Sequence, residues 1–280
     1  MRNFNKHIII MGSARSGTSW LSESMAKAFR YRLLFEPDHP IQVPQATIFA
    51  DKKLNKAEDA PRINKFLKRV FSNRIDSDWI GQNSNRKFKM HLWPFLPKKY
   101  IIKFIRANLA LAYLIEKFNI PIIFLIRNPY DVIASQNRVK FPWLYDLSIF
   151  QNQKELVDLI FEKTGIDICT NSFSDIEILA VRWCIENVVP LKYQKLELER
   201  LKIVKYEDLK GNFNLFEEIC NDFSIDIAPN MEALYTRPSS KTHPKSSIRS
   251  GKSLGNLLSE SDRAKAKRIL ERFKLDFYTA

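Results

Sequence analysis

Residues Gly12 to Leu21 read GSARSGTSWL, and their reading decides the fold. Before them, His7-Ile8-Ile9-Ile10-Met11 is a short apolar run of the kind that becomes a buried parallel strand. After them, Leu21, Met25, Ala28 and Phe29 recur at helical spacing. The order is therefore strand, glycine-bounded loop, helix. Such a unit is an anion site, because the loop amides converge and the helix N-terminus adds roughly half a positive charge. Gly12 and Gly17 admit backbone conformations that a side chain would obstruct. Ser16, Thr18 and Ser19 supply hydroxyls.

The spacing is close to the nucleotide-binding pattern G-x-x-x-x-G-K-[ST] and departs from it at one place. Thr18 follows Gly17 where that pattern has its Lys, and the cation stands earlier, at Arg15. A loop without that Lys lacks the contact to the outer phosphates of a triphosphate, so it suits a different phosphate ester.

A second stretch has the same grammar. Pro121 to Ile126 is a buried-strand run with Arg127 at its carboxyl end. Asn128 is a good N-cap, Pro129 a good first helical residue, and Asp131 complements the dipole from the first turn. Ser135 lies two turns into that helix, so it and the strand-end Arg127 can close on one phosphate.

These two stretches resemble the phosphate motifs of the PAPS-dependent sulfotransferases, where PAPS is 3′-phosphoadenosine 5′-phosphosulfate. Arg15-Ser16-Gly17-Thr18-Ser19-Trp20 resembles their 5′-phosphosulfate loop, which implies that Arg15, Ser16, Gly17, Thr18 and Ser19 hold the 5′-phosphate. LIRNPYDVIAS, Leu125 to Ser135, resembles their 3′-phosphate motif and gives Arg127 and Ser135 that role. The V-x-Y-E-D-L string at Val204 to Leu209 is also similar to the family and implies that Tyr206 lies near the adenine. Glu207 and Asp208 are expected to cap the helix that follows. Arg249-Ser250-Gly251 resembles, in part, a late loop that contacts the 3′-phosphate, but lacks the Trp that often follows its Gly.

Two stretches carry candidates for the acceptor side. In Arg86 to Trp93, RKFKMHLW, apolar Phe88, Met90 and Leu92 alternate with Lys87, Lys89 and His91, which is strand periodicity. Lys89 and His91 then share one face, and an imidazole is largely neutral at pH 7. The Lys-x-His-Leu pattern resembles the strand of hydroxyl-acceptor sulfotransferases, which implies His91 as general base and Lys89 on the transferring group. Tyr31 to Phe35 is another short strand, ended by Glu36-Pro37. This element resembles carbohydrate-type sulfotransferases, in which the Glu lies at the acceptor site and in some members is the base. His91 is thus the expected base, with Glu36 as the alternative, and Arg15 and Lys89 stabilise developing charge.

Elsewhere, residues 41–85 are expected to form an insertion over the sheet, helical from Ala57 to Phe71, that serves as an acceptor-side lid. Tyr100 to Phe118 carries helical periodicity, and residues 138–175 form a second excursion with Phe141, Trp143, Leu144 and Tyr145 as an aromatic cluster. Ile176 to Leu198 and Ser259 to Lys274 are expected helices, as is Phe213 to Phe223, and Leu201 to Tyr206 is an expected strand. The alternation implies a single α/β domain over residues 1–280, a three-layer parallel sheet with the P-loop-like sulfotransferase fold and helical insertions.

Composition narrows the function. At 45% hydrophobic residues the chain is not disordered, and no apolar run approaches the roughly 18 to 20 residues that span a bilayer. With no signal-peptide pattern at the start and three scattered cysteines, Cys169, Cys184 and Cys220, the expected location is cytoplasmic. No metal-ligand cluster is visible. The net charge of +14 favours anionic partners. The expectation is sulfuryl transfer from PAPS, without a metal, to the hydroxyl of a carbohydrate, glycolipid or small metabolite. A P-loop kinase or NTPase is the alternative, and a basic nucleic-acid binder follows from charge alone, since no nucleic-acid motif is present.

Overall fold

In the computed structural model, Ile8–Met11 forms strand β1, and all four of its residues are buried. The structure describes residues 4–28, 31–54, 60–82, 99–194, 196, 198–227, 229–240, 258–275 and 278. Tyr31–Phe35 is β2, Lys99–Phe104 β3, Ile122–Ile126 β4 and Leu201–Lys205 β5. They form a five-stranded sheet in the order β2-β3-β1-β4-β5. Every neighbouring pair is parallel. The main helices are α1 (Thr18–Met25), α2 (Ala60–Phe71), α3 (Leu111–Lys117), α4 (Pro129–Val139), α5 (Lys154–Thr164), α6 (Asp175–Lys192), α7 (Phe213–Asp222), α8 (Met231–Tyr235) and α9 (Glu260–Arg272).

Strand alternation divides the core into layers. Ile9, Met11, Ile102, Phe104, Ile122 and Phe124 face one side and pack with α2 and α3. Ile8, Ile10, Leu33, Ile101, Ile123 and Leu125 face the other and pack with α1, α7 and α8. A third core joins α4, α5, α6 and α9 around Trp183 and Phe150. The result is the three-layer α/β architecture expected from the sequence.

Several expected details hold. Asn128 caps α4, its Oδ1 accepting from the Tyr130 N–H at 3.0 Å, with Pro129 in the first turn. Ser259 caps α9 by accepting from the Asp262 N–H at 3.1 Å. Of the aromatic cluster in the 138–175 excursion, Leu144 is buried in the third core with Trp143 and Tyr145 packed against it, and Phe141 is exposed.

Other details are corrected. The helix expected over Tyr100 to Phe118 is instead β3, a short 3-10 turn at Asn108–Ala110, and α3. The helix expected to reach Leu198 ends at Lys192. The 41–85 segment is not a lid over its described part, because Ile63, Phe66, Leu67, Val70 and Phe71 of α2 are buried and form a layer of the core. The expected strand at 86–93, with Lys89 and His91, lies outside the described residues, as do Arg249, Ser250 and Gly251. Among the described residues, no helix is long and apolar enough to cross a membrane.

Candidate functional site

The chain leaves β1 for β2 and β3 on one side, then crosses to β4 and β5 on the other. Open sheets bind ligands outside the carboxyl ends of strands at such a reversal. The loop after β1 occupies that place. A Cβ on Gly12 would lie 2.3 Å from the Leu125 carbonyl oxygen, so only glycine lets the loop pass so close to β4. Gly17 has φ +100°, and a Cβ there would lie 2.5 Å from the Tyr206 ring. Between them Arg15 adopts φ 75°, a left-handed conformation uncommon outside glycine. Gly17 is the N-cap of α1 and offers no side chain to its first amides, so these face the loop without a competing cap.

The register pairs Met11 with Phe124, which puts the end of β4 beside this loop. Arg127, only 5% exposed, donates through Nη1 to the Arg15 carbonyl at 3.4 Å and through Nη2 to Asp131 at 3.2 Å. Its guanidinium lies 4.5 Å from the centre of the Tyr206 ring. Arg15 donates from Nε to Ser135 Oγ at 3.1 Å, and Gln136 holds the loop by donating to the Ala14 carbonyl at 3.0 Å. The structure thus brings together Arg15, Ser16, Gly17, Thr18, Ser19, Arg127, Ser135 and Tyr206 at the ends of neighbouring strands.

The electrostatics of this group are unbalanced. Burial lowers the pKa of Arg15, and the charges of Arg127 and Arg138 lower it further. Against three guanidiniums, the carboxylate paired with them among the described residues is Asp131. Arg127 Nε, Arg138 Nε and Nη2, Ser13 Oγ and Ser16 Oγ are buried without hydrogen-bond partners among the described residues. Buried cations and donors left this way are unfavourable until an anion satisfies them. Arg138 was not singled out in the sequence. Its signal was the spacing of Asp131, Ser135 and Arg138, which share one helix face.

Glu207 also departs from expectation. Its Oε1 accepts from the Asn128 N–H at 2.9 Å and its Oε2 from the Tyr278 hydroxyl at 2.6 Å. It therefore secures the start of α4, a helix far earlier in the chain, and fixes the strand-end turn that carries Arg127.

A second polar group lies at the ends of β2 and β3. Glu36 has φ 45° and is 7% exposed. Its N–H donates to the Lys103 carbonyl at 3.0 Å, and its carboxylate is ion-paired with the buried Lys103 ammonium. Lys103 stands opposite Ile10 of β1. Asp38 is fully buried, and its Oδ2 accepts from the N–H groups of Ile105 at 2.8 Å and Arg106 at 2.5 Å. Burial pushes its carboxyl up to about 7, with the Glu36 charge adding to the rise and the Arg106 amide opposing it. His39, whose pKa burial lowers, meets Trp79 edge-on at 4.9 Å. Arg106 pairs with Asp51 at 2.7 Å and lies 3.8 Å over Trp143. Lys103 and Arg106 escape the sequence reading because the periodicity of 100–118 reads as helix, and Asp38 escapes it because only the paired strands bring its loop against the end of β3.

The arrangement can hold a ligand with two phosphate-like groups over β1 and β4, with a buried carboxylate–ammonium pair alongside. Among the described residues, no cluster of His, Cys, Asp or Glu is arranged to hold a metal ion.

A family model for the sulfotransferase domain matches residues 5–223. The sulfotransferase domain from the curacin biosynthetic pathway is 16% identical, with 98% of this chain and 99% of that chain covered and a TM-score of 0.45. A mouse sulfotransferase crystallised with PAP is 15% identical, with 98% and 86% covered and a TM-score of 0.49. A sulfotransferase from Mycobacterium avium is 16% identical, with 98% and 78% covered and a TM-score of 0.46. No curated protein matches the chain at significance.

Proposed function

This chain belongs to the sulfotransferase family, and on that premise we propose that it transfers a sulfuryl group from PAPS to an acceptor hydroxyl. The observation that carries the reading is the group of three arginines, Arg15, Arg127 and Arg138, with buried donors left open at the ends of β1 and β4. A phosphorylated nucleotide with charges at both ends satisfies them. Arg15, Ser16, Gly17, Thr18 and Ser19 hold the 5′-phosphate, where the loop amides and the start of α1 converge. Arg127, Ser135 and Arg138 hold the 3′-phosphate, with Tyr206 beneath Arg127 on the adenine side. The partial resemblance of Arg249, Ser250 and Gly251, which lie outside the described residues, gives them a further contact to the 3′-phosphate.

PAPS supplies a sulfuryl group on a phosphate leaving group, and no metal is required. In the transfer the acceptor oxygen bonds to sulfur, the bond from sulfur to the phosphate oxygen breaks, and the acceptor proton passes to a base. Glu36 is that base. It sits at a strand end two strands from β1, about 10 Å at the usual spacing, which leaves room for an acceptor between. Lys103 is ion-paired with its carboxylate and orients it. Arg15 offsets the charge that develops on the leaving oxygen. His91 with Lys89 is the other reading. A carboxylate at this position favours a carbohydrate or glycolipid acceptor over a small phenolic one.

Calorimetry with PAP, AMP and ATP in the presence of EDTA tests the donor. The expected result is PAP binding at least tenfold tighter than either competitor. Preference for ATP, or binding that requires Mg²⁺, overturns the reading in favour of a P-loop kinase.

A further inference from the structure

The opposite edge of the sheet carries a second cavity, of about 1170 Å³. Phe4 precedes β1, Phe118 precedes β4 and Arg200 precedes β5, so the cavity opens at the amino ends of the strands, away from Arg15 and Arg127. Its floor is apolar, made by the buried Phe4 and Phe118 and the half-buried Ile115. Its wall is cationic. Lys65, Lys68 and Arg69 of α2, Arg74 just after it, and Arg200 line the cavity without a carboxylate partner among the described residues. Lys117 is already paired with Glu116 at 2.7 Å, which leaves Glu199 as the one carboxylate of the lining without an ion pair among the described residues.

Lys68 and Arg69 lie in the last turn of α2, where cations complement the helix dipole, but the dipole does not account for Lys65, which stands a turn earlier, or for Arg74 and Arg200 outside the helix. Lys65 lies one turn from both Lys68 and Arg69, and like charges at that spacing destabilise a helix. The packing of α2 rests on Ile63, Phe66, Leu67, Val70 and Phe71, on its other face. An anion in the cavity removes the repulsion. The volume is that of a site for an organic molecule, well beyond what inorganic phosphate fills. The concavity and apolar floor suit a ligand that enters, in contrast to a flat bilayer surface.

We propose that this cavity binds an organic anion, with phosphate or sulfate groups against Lys65, Lys68 and Arg69 and an apolar body on Phe4, Ile115 and Phe118. The length of the strands, about 13 Å or more, separates it from the carboxyl-end loops, so it is a separate binding site. The proposal stands independently of what the arginine cluster holds.

The test is calorimetric titration of 1-naphthyl phosphate, inorganic phosphate and phosphatidylglycerol vesicles into the full chain and into a Lys68→Glu/Arg69→Glu variant. Both replaced side chains are exposed, so the fold is retained, and a matching far-UV spectrum checks this. Naphthyl phosphate is expected to bind at least tenfold tighter than inorganic phosphate and to lose at least tenfold in the variant. An Arg127→Ala chain is expected to keep that binding. Three results overturn the proposal: equal affinity in the charge-reversed variant, binding lost only with Arg127→Ala, or binding to vesicles without binding of naphthyl phosphate.

Discussion

Arg15 and Glu36 are non-glycine residues with positive φ, and each stands where a strand hands its chain to the candidate site. Such conformations persist only where the surroundings enforce them, and they cluster at functional positions. Gly17 is the neighbouring case in which no side chain fits. Gly17→Ala is expected to destabilise the fold by about 2 kcal/mol or more, since the new Cβ meets the Tyr206 ring and the backbone is strained. In a Tyr206→Ala background the steric part disappears, so chemical denaturation of the double variant should show a smaller increment; an unchanged increment would assign the whole effect to the backbone. The base is decided at this scale too. Glu36→Gln is expected to lower turnover by at least a hundredfold while PAP binding stays within threefold of wild type. His91→Ala is expected to retain turnover. The reverse outcome moves the base role to His91. Removing one partner of a buried ion pair costs about 3–5 kcal/mol, so thermal melting must accompany Glu36→Gln to separate lost chemistry from lost fold.

At the scale of elements, the neutral ring of His7 ties the lead-in of β1 to β3, with its Nδ1 accepting from the Tyr100 N–H at 3.2 Å. Burial is the main reason its pKa falls from 6.5 to about 4, with Lys6 adding to the effect. Because the folded value lies below the unfolded one, the stability this group contributes is present above pH 6.5 and is lost as the pH falls towards 4. That gap is worth about 3 kcal/mol. His7→Asn keeps an acceptor and removes the titration, so its urea midpoint should fall less than that of the wild type between pH 6.5 and 4; parallel curves would refute the assignment. The same strand explains what the sequence concealed. β1 and β4 are apolar runs ended by recognisable loops and caps, so both phosphate motifs were legible with their neighbours. β3 reads Lys-Tyr-Ile-Ile-Lys-Phe, buried on both faces apart from Lys99, and a run of that kind has no period that separates strand from helix. Missing β3 hid Lys103, because a lysine in a central strand is recognisable only once its partner Glu36 is known to stand beside it.

For the whole molecule, the consequence of the strand order is that the proposed cofactor site belongs to no single segment. Arg15 and Ser135 are 120 residues apart in sequence and meet at 3.1 Å only when β1 and β4 are paired. Tyr206, which packs against Gly17 and under Arg127, follows β5. A ligand that needs all of these binds the assembled sheet and not the unfolded chain, so binding and stability are linked. PAP at 100 times its Kd is expected to stabilise the protein by about 2.7 kcal/mol, which raises Tm by about 5 °C for a chain of this size. Hydrogen bonds to a charged group contribute about 1.5–3 kcal/mol, so Arg127→Ala should weaken PAP by roughly 10- to 100-fold. At the same PAP concentration the stabilisation then falls below about 1.5 kcal/mol. Differential scanning fluorimetry with EDTA throughout reads both quantities. A wild-type shift that needs added Mg²⁺ would contradict a metal-free site. An undiminished shift in Arg127→Ala would remove Arg127 from the 3′-phosphate and leave its ion pair with Asp131 as its role at the end of β4.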